Sequence, residues 1–308
     1  MARFFYSQDR GGTWTLQTSF SVSASALPVM TATSNYIYIA YFTSSGGNKI
    51  FLCRAAIGSM GAAWDFQKQV VSLTTAPSSE MAIAASGQNV VVAYDTGSTM
   101  KVVMSTTAGS SVTNTTVSNA GTNPLRPSLA IRDSDYHIAF QASDGLRYAH
   151  ASVGAGLCTA NLVATGGYFA SLALDPATTD VSIAYVNANA VMIANSANDG
   201  VTWTLGGTGK TTIASQRVSL AWNSACAPAR RSIAYYNSTT ADIGIAYSYD
   251  GTSWLEGDYV VPVDGQPVLH IWSSCMQINE AGLGSNLYLL YLDNSNLKAR
   301  FARVNFGF

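Results

Sequence analysis

Charged residues are scarce in this sequence. They make up 11% of its 308 positions, less than half of the roughly 25% that is usual in soluble domains. The formal net charge is −1. Nucleic acids and anionic membranes bind proteins through a clustered excess of Lys and Arg, so we expect neither as a partner. Ser, Thr, Asn and Gly must then cover much of the surface, as on many secreted proteins.

Long hydrophobic runs and targeting signals are also missing. The first ten residues, MARFFYSQDR, lack the basic start and the apolar run of a signal peptide. No stretch reaches the roughly 18 apolar residues of a membrane-spanning helix. We therefore expect no membrane insertion. We expect an extracellular or cell-surface location, with an export signal that is not present in this chain.

The four cysteines form no CxxC pair, and no histidine stands at ligand spacing from them. We therefore expect no metal site, and no motif indicates a cofactor. Cys226 and Cys275 follow equivalent strands, which begin at Trp222 and Trp272, so a disulfide between adjacent loops is one interpretation. Two unpaired thiols are the other.

Sustained helical periodicity is absent, whereas 26 Gly, 16 Tyr and many Val, Ile, Thr and Ser favour strands and tight turns. A strand that ends in an aromatic residue, in most copies after Ala, recurs six times at spacings of 45 to 56 residues. These second strands of the repeat are YIYIAYF with Tyr41, NVVVAYD with Tyr94, DYHIAFQ with Phe140, VSIAYV with Tyr185, RSIAYY with Tyr235 and NLYLLYL with Tyr291.

A strand of small and apolar residues precedes each of these. The six copies begin at Pro28, Met81, Ser128, Ser171, Ser219 and Leu269. Four-stranded blades of about 40 to 50 residues, which can bury both faces only against neighbours, explain this period. The sequence therefore predicts an all-β fold, a six-bladed β-propeller forming one domain over residues 1–308. We expect both termini to share the closing blade, although the strand LKARFARV is then one more than the blade needs.

A turn motif, S-x-D-x-G-x-T-W, follows the third strand of the repeat. Its three fullest copies are Ser7, Asp9, Gly11 and Trp14; Ser196, Asn198, Gly200 and Trp203; and Ser248, Asp250, Gly251 and Trp254. A decayed copy keeps Ser105 with Gly109. The Asp or Asn side chain accepts backbone N–H groups, Gly permits a positive φ, and Trp packs over the turn. We interpret these residues as structural rather than catalytic.

Repeated turns of this kind on a 50-residue period resemble the Asp-box, or BNR, repeat of sialidases and related propellers. The resemblance covers the whole chain. It implies that the Asp boxes lie on the face opposite the ligand pocket. The pocket would then be lined by loops that join second to third strands and by links between blades.

Nine residues fall on that axial face and are our candidate ligand-binding residues: Asp95, Arg126, Gln141, Asp144, Tyr168, Arg217, Tyr236, Asp242 and Asp293. Each Asp in this set also suits a hairpin that it stabilises itself. By resemblance, a sialidase needs three arginines, a tyrosine nucleophile with a glutamate, and an aspartate acid. Only Arg126 and Arg217 are placed near the pocket, and Glu80 has no tyrosine partner. No catalytic residue is therefore assigned.

Three functions remain open on the sequence alone. The first is a lectin-like, non-catalytic propeller that binds carbohydrate or an extracellular polymer. The second is an exo-acting glycoside hydrolase of sialidase type. The third is a structural or adhesive module of a larger assembly, with neighbouring domains in a longer chain. The low charge favours binding or scaffolding over hydrolysis, because the resemblance implies that an enzyme of sialidase type needs three convergent arginines in its pocket.

Overall fold

The computed structural model describes residues 2–7, 13–20, 22, 27–59, 64–213, 216–223, 230–257, 270–276, 285–293 and 298–306. Over these ranges the chain is built from strands, with one short 3-10 turn at Ile57–Ser59 and no α-helix. None of the described segments is a helix long and apolar enough to cross a membrane. The predicted all-β class is confirmed. The chain forms two compact units, residues 1–161 and 162–308.

Unit 1 holds an amino-terminal hairpin and three larger sheets. Its strands are β1 (Ala2–Tyr6), β2 (Thr15–Phe20), β3 (Val29–Ala32), β4 (Tyr36–Thr43), β5 (Lys49–Ala56), β6 (Phe66–Ser72), β7 (Ala82–Ser86), β8 (Asn89–Asp95), β9 (Met100–Ser105), β10 (Thr113–Ser118), β11 (Leu125–Arg132), β12 (Asp135–Ala142), β13 (Gly145–Ser152) and β14 (Cys158–Thr159). The first sheet has the antiparallel order β3-β4-β5-β6. The second has the order β7-β8-β9-β10, with β14 added parallel to β10. In the third, β11, β12 and β13 lie side by side.

Unit 2 contains two four-stranded sheets and one three-stranded sheet. After β15 (Asn161–Thr165), which spans the boundary between the units, its strands are β16 (Tyr168–Leu174), β17 (Val181–Asn187), β18 (Ala190–Ser196), β19 (Thr204–Thr211), β20 (Val218–Asn223), β21 (Arg230–Asn237), β22 (Asp242–Ser248), β23 (Leu255–Glu256), β24 (His270–Met276), β25 (Ser285–Asp293) and β26 (Lys298–Phe306). The sheets have the orders β16-β17-β18-β19, β20-β21-β22-β23 and β24-β25-β26. The surplus strand LKARFARV is therefore a real third strand, β26, which pairs with β25 along its length.

The first strands of successive sheets lie beside one another within each unit. In unit 1, β7 contacts both β3 and β11, and in unit 2, β20 contacts both β16 and β24. Each of these strands is the inner edge of its sheet. The small and apolar residues that we expected on inner strands are explained by this close approach of backbones.

The second strands of the first five repeats, β4, β8, β12, β17 and β21, are buried on both faces. In β8, Val90, Val92 and Tyr94 belong to the core between the first and second sheets. Val91 and Ala93 belong to the core between the second and third. Alternate side chains point to opposite faces of a strand, so a strand between two sheets needs an unbroken apolar run. This requirement explains the repeated second-strand sequence.

The recurrent tyrosine of the second strand braces its own sheet. The Tyr235 hydroxyl group donates a hydrogen bond of 3.0 Å to Oε1 of Glu256 on β23. Its ring passes over Gly244 of the intervening β22, where an added Cβ would lie 2.8 Å from the ring. In the first sheet, the amide group of Gln67 on β6 donates a hydrogen bond to the hydroxyl oxygen of Tyr41. The ring fills space between sheets while its polar end reaches the outer strand.

A serine–glycine hydrogen bond recurs in three of the turns that follow third strands. The serine hydroxyl groups accept the backbone N–H of the glycine at 2.9 Å for Ser105 and Gly109, 2.8 Å for Ser196 and Gly200, and 2.8 Å for Ser248 and Gly251. All three glycines have φ between 76° and 87°. That is the left-handed region, which a side chain disfavours.

The Asn or Asp of the turn motif binds backbone N–H groups, as we expected. Asn198 accepts a hydrogen bond of 2.9 Å from the N–H of Thr202. Asp250 accepts 2.7 Å and 2.8 Å bonds from the N–H groups of Ser253 and Thr252, and these bonds hold the pKa of its carboxyl well below the usual range. In the first copy, Asp9 and Gly11 lie outside the described residues, whereas Ser7 and Trp14 are described.

The predicted disulfide stays a prediction, because Cys226 lies outside the described residues and the side chain of Cys275 is not described. Cys53 and Cys158 are buried free thiols. Burial raises the pKa of the Cys53 thiol to about 12, so it behaves as a small apolar side chain.

Candidate functional site

One register position recurs at the start of the inner strands. In each of the four sheets that follow β6, a small residue of the first strand pairs with an Ala of the second strand. These equivalent pairs are Ala82–Ala93, Ser128–Ala139, Ser171–Ala184 and Ser219–Ala234. The residue two positions before each first partner is Glu80, Arg126, Phe169 or Arg217. In the last sheet, Trp272 pairs with Leu290, and the same position is His270. The two arginines expected in the pocket are thus equivalent residues of different sheets.

Asp95, the last residue of β8, is fully buried and bound on all sides. Its carboxylate accepts backbone N–H groups from Ser78 at 2.9 Å, Ser79 at 3.0 Å and Gly97 at 3.0 Å. The Ser79 hydroxyl group donates a fourth bond of 2.5 Å. The bond from Gly97 is the hairpin bond that an Asp at a strand end favours. The other bonds tie β8 to the segment that leads into β7.

Arg126 stands next to this carboxylate in an unusual backbone conformation. Its φ is 53°, within a bulge where the register of β11 against β12 shifts between Leu125 and Ser128. Its N–H donates a 2.8 Å hydrogen bond to the hydroxyl oxygen of Ser79. Its guanidinium group donates a 3.1 Å bond to Oε1 of Gln141, at the end of β12. Asp95, Ser79, Arg126 and Gln141 therefore form one hydrogen-bonded cluster, which we call the Arg126 cluster.

The electrostatics of the cluster follow from partial burial of the arginine. Burial lowers the pKa of Arg126, and the charge of Asp95 acts in the opposite direction. A guanidinium group carries N–H donors in a fixed planar arrangement, and the bond to Gln141 helps to set their direction. Donors fixed in advance by their neighbours lose little freedom when they bind a sugar hydroxyl or carboxylate. This arrangement can bind a polar ligand.

Asp144 does not join this cluster. It lies in the turn after β12, where its carboxylate forms a two-bond pair with Arg147 at 2.5 and 3.1 Å. Hydrogen bonding to Arg147 lowers the pKa of the Asp144 carboxyl. The guanidinium group of Arg147 also donates a 2.7 Å hydrogen bond to the backbone carbonyl oxygen of Asn119. Asp144 thus helps to fix the turn.

In unit 2, Arg217 packs on the ring of Phe169. Its guanidinium carbon lies 5.2 Å from the ring centroid, within cation–π range. Phe169 has a φ of 56°, in the same kind of bulge that holds Arg126 in unit 1. Burial lowers the pKa of Arg217 to about 10. The neighbouring Tyr168 is 45% exposed and presents an aromatic surface.

The remaining candidates take different places in unit 2. Tyr236 is buried at 5% exposure, so its ring serves packing. Asp242 begins β22 and pairs with Asn237 across a tight turn. Asp293 ends β25, opposite Lys298 in the register, and its side chain is not described. His270 opens β24 and its side chain is likewise not described.

Sequence reasoning missed two residues that shape these clusters, Ser79 and Phe169. Phe169 is hidden when the sheets are aligned by their strand ends rather than by the paired Ala and Ser residues. Counting back two positions from each paired small residue would have found Phe169 and set Glu80 beside Arg126 as its equivalent. Ser79 precedes Glu80, and nothing in the sequence marks its hydroxyl group.

No group of three or more metal-ligating side chains occurs in the part of the chain that the structure describes. A tyrosine–glutamate pair does occur, at Tyr235 and Glu256. Tyr235 is 1% exposed, and burial raises the pKa of its hydroxyl group. Its oxygen points to the outer strand rather than to the inner edge of the sheet. That geometry suits a brace and not a nucleophile that meets a substrate.

Solved structures of sialidases share the fold of this chain. The NanB sialidase from Streptococcus pneumoniae aligns with a TM-score of 0.62 and 9% identity, over 95% of this chain and 70% of that protein. A Hadza microbial sialidase aligns with a TM-score of 0.56 and 12% identity, over 91% and 65%. Trypanosoma rangeli sialidase aligns with a TM-score of 0.58 and 9% identity, over 99% of this chain and 59% of that protein. This chain thus spans less than two thirds of the length of the last two.

A fungal lectin is also similar in structure. The fucose-binding Aleuria aurantia lectin, described as a six-bladed β-propeller, aligns with a TM-score of 0.51 and 15% identity over 83% of this chain and 86% of the lectin. A point mutant of the same lectin in complex with α-methyl-L-fucoside aligns with a TM-score of 0.56 and 11% identity, over 91% of this chain and 91% of the lectin.

No protein-family model matches the sequence, and no curated protein matches it either. At these low identities the structural likeness establishes the fold alone. The chain has a propeller fold of the kind found in sialidases and in this lectin, so the predicted resemblance is confirmed at the level of the fold.

Proposed function

We propose that this chain is a carbohydrate-binding, six-bladed β-propeller of one domain, residues 1–308, that recognises glycans without cleaving them. The observation that carries the proposal is the Arg126 cluster. Its half-buried guanidinium group is held by the Gln141 amide beside the Asp95 carboxylate. Charged and amide groups with fixed directions at strand ends are how proteins hold sugar hydroxyl and carboxylate groups. Tyr168 and Arg217 supply an aromatic surface and a second cation in unit 2.

The blade count rests on the six repeats of the sequence and on the lectin described as six-bladed. The three fullest turn copies are Asp boxes in this proposal. The proposal includes an extracellular or cell-surface location, which the neutral, hydroxyl-rich composition supports.

Hydrolysis of sialidase type is the second candidate, favoured by the likeness to three sialidases. Two features argue against it. Asp95, the acid next to Arg126, is enclosed by four hydrogen bonds and has no exposed surface to offer a leaving group. The tyrosine of the Tyr235–Glu256 pair is buried.

The deciding experiment measures binding and turnover on the same preparations. Wild-type protein, Arg126→Ala and Gln141→Ala are applied to a glycan array and incubated with a fluorogenic sialoside. Arg3→Ala is the matched control, because it removes an exposed guanidinium group from β1. We expect selective glycan retention by wild type, a loss of about tenfold or more in Arg126→Ala, and no turnover.

Two results would contradict the proposal. Sialoside turnover that disappears in Arg126→Ala would establish the hydrolase. A wild-type protein that retains no glycan would favour a structural or adhesive module.

A further inference from the structure

A polar groove in unit 1 lies apart from the Arg126 cluster. It has a volume of about 570 Å³ and opens between the outer strand of the first sheet and the body of the second. One wall is the end of β6 and the segment 73–75. The floor is formed by β8, β9 and β10 of the second sheet. The volume falls within the roughly 300 to 1,000 Å³ of pockets that hold small organic ligands.

The floor of the groove is a row of three side chains across the second sheet. Tyr94 of β8 pairs with Lys101 of β9, which pairs in turn with Thr116 of β10. Cross-strand partners share a face of the sheet. Tyr94 packs in the core toward the first sheet, and Asp95, the next residue, points to the opposite face. The groove and the Arg126 cluster are therefore on opposite faces of one sheet.

Lys101 gives the groove its electrostatic character. No residue that lines the groove is acidic. Among the described residues, none forms a hydrogen bond or ion pair with the Lys101 ammonium group. Lys68 of β6 differs in this respect, since its ammonium group donates a 2.7 Å hydrogen bond to the carbonyl oxygen of Ser110. An uncompensated ammonium group in a concave, partly buried setting attracts an anion more strongly than one in open water.

The remaining lining is suited to sugars. Thr74, Asn114 and Thr116 contribute hydroxyl and amide groups to the lining, and Val71 contributes an apolar surface. Hydroxyl and amide groups bond sugar hydroxyls, and an apolar patch packs on the C–H face of a ring.

We propose that this groove, with Lys101 at its floor, is a second binding site, and that it takes an acidic oligosaccharide whose carboxylate group pairs with the ammonium group. Charge complementarity selects the anionic sugar over a neutral one. The hydroxyl and amide groups of the lining select a sugar over a free anion. The site goes beyond the function proposed above, because it does not require Arg126 to bind anything.

The test is isothermal titration calorimetry with trigalacturonate, with neutral maltotriose as the uncharged comparison. Lys101→Met removes the charge but keeps the aliphatic stem, and Lys101→Arg keeps the charge. Lys68→Met is the matched control on β6. Thermal unfolding of each variant confirms that it is folded.

We expect trigalacturonate to bind wild type, to lose about tenfold or more in affinity in Lys101→Met, and to bind Lys101→Arg and Lys68→Met nearly as wild type does. Lys101→Met should lower the affinity by the same factor in an Arg126→Ala background as in the wild-type background, which separates this site from the first. The proposal is overturned by equal binding to Lys101→Met, by equal affinity for maltotriose, or by the absence of trigalacturonate binding. It is also overturned if sodium acetate displaces the sugar at equal carboxylate concentration, because the groove then recognises only the anion.

Discussion

Gly251 lies so close to the guanidinium group of Arg231 that an added Cβ would overlap its Nη1. The same guanidinium group covers the ring of Trp222 at 4.1 Å and lies 3.6 Å from the carboxylate of Asp180. Asn195 completes the contact with a 2.8 Å bond to the carbonyl of Gly251. The turn of the fifth sheet is thus docked on the strand ends of its own sheet and the sheet before it. Position 251 therefore requires glycine both for this close contact and for its positive φ.

Gly251→Ala should therefore destabilise unit 2 through two effects. The φ of 76° costs a side chain about 1–2 kcal/mol, and overlap with Arg231 adds about 1–3 kcal/mol. The matched control is Gly209→Ala, which has a φ of 72° but nothing within 4 Å of the added Cβ. Urea unfolding should show a clearly larger loss of stability for Gly251→Ala. Equal losses would mean that the contact with Arg231 relaxes freely.

Asp95 should act on ligand binding through Arg126. Asp95→Asn replaces a carboxylate that accepts four hydrogen bonds with an amide whose NH₂ faces N–H donors. We expect a loss of about 1.5–3 kcal/mol in the free energy of unfolding, the range for a bond to a charged group. Asp144→Asn is the control, because the Asp144 carboxylate is exposed and water screens its pair with Arg147.

A double-mutant cycle tests the link between Asp95 and Arg126. Glycan affinity should fall in Asp95→Asn and in Arg126→Ala, but the double variant should be no weaker than Arg126→Ala alone. Additive losses would show that Asp95 contacts the ligand independently.

The repeated second strands could be located from the sequence because burial on both faces imposes an unbroken apolar run. NVVVAYD and VSIAYV were predicted for this reason, and they form β8 and β17 as expected. The turn glycines were also recognisable, since a positive φ requires them. What the sequence could not show is which face of a strand end meets the next sheet. Asp95 was therefore expected in the pocket lining, and it is enclosed instead.

The bulges at Arg126 and Phe169 were unpredictable for a related reason. Neither residue type favours a left-handed conformation, and tertiary contacts impose it. The sequence also gives no sign of a site at Lys101, because a single lysine in a strand is common. Its isolation in the groove emerges only when the register sets it between Tyr94 and Thr116.

Tyr235→Phe distinguishes a brace from a nucleophile. Losing the hydroxyl bond to Glu256 should cost about 1 kcal/mol of stability. Tyr185→Phe is the control, because Tyr185 is the equivalent buried residue of the preceding sheet and makes no such bond among the described residues. Glycan retention should be unchanged in both. A loss of ligand binding or turnover in Tyr235→Phe, with stability unchanged, would show that this tyrosine belongs to the functional site.

His137 should make unit 1 sensitive to acid. It is 1% exposed, shares a 2.6 Å hydrogen bond with the Tyr148 hydroxyl group through Nδ1, and stacks on His150. Burial lowers its pKa to about 3, with further lowering by the charge of Arg132 and by His150. Its Nε2 has no hydrogen-bond partner among the described residues, so a proton there would be buried without an acceptor.

The direction of the pH dependence follows from the lowered pKa. An unfolded histidine takes up a proton near pH 6.5, whereas the folded one resists it down to about pH 3. Stability from this group is complete above pH 6.5 and is lost on acidification, by up to about 1.4 kcal/mol per pH unit. Unfolding by urea between pH 7 and pH 5 should show this slope. His137→Gln should flatten this dependence of stability on pH, whatever the stability of the variant itself. His150→Gln, at an exposed position, should leave the slope as in wild type. An unchanged slope in His137→Gln would mean that another group controls acid sensitivity.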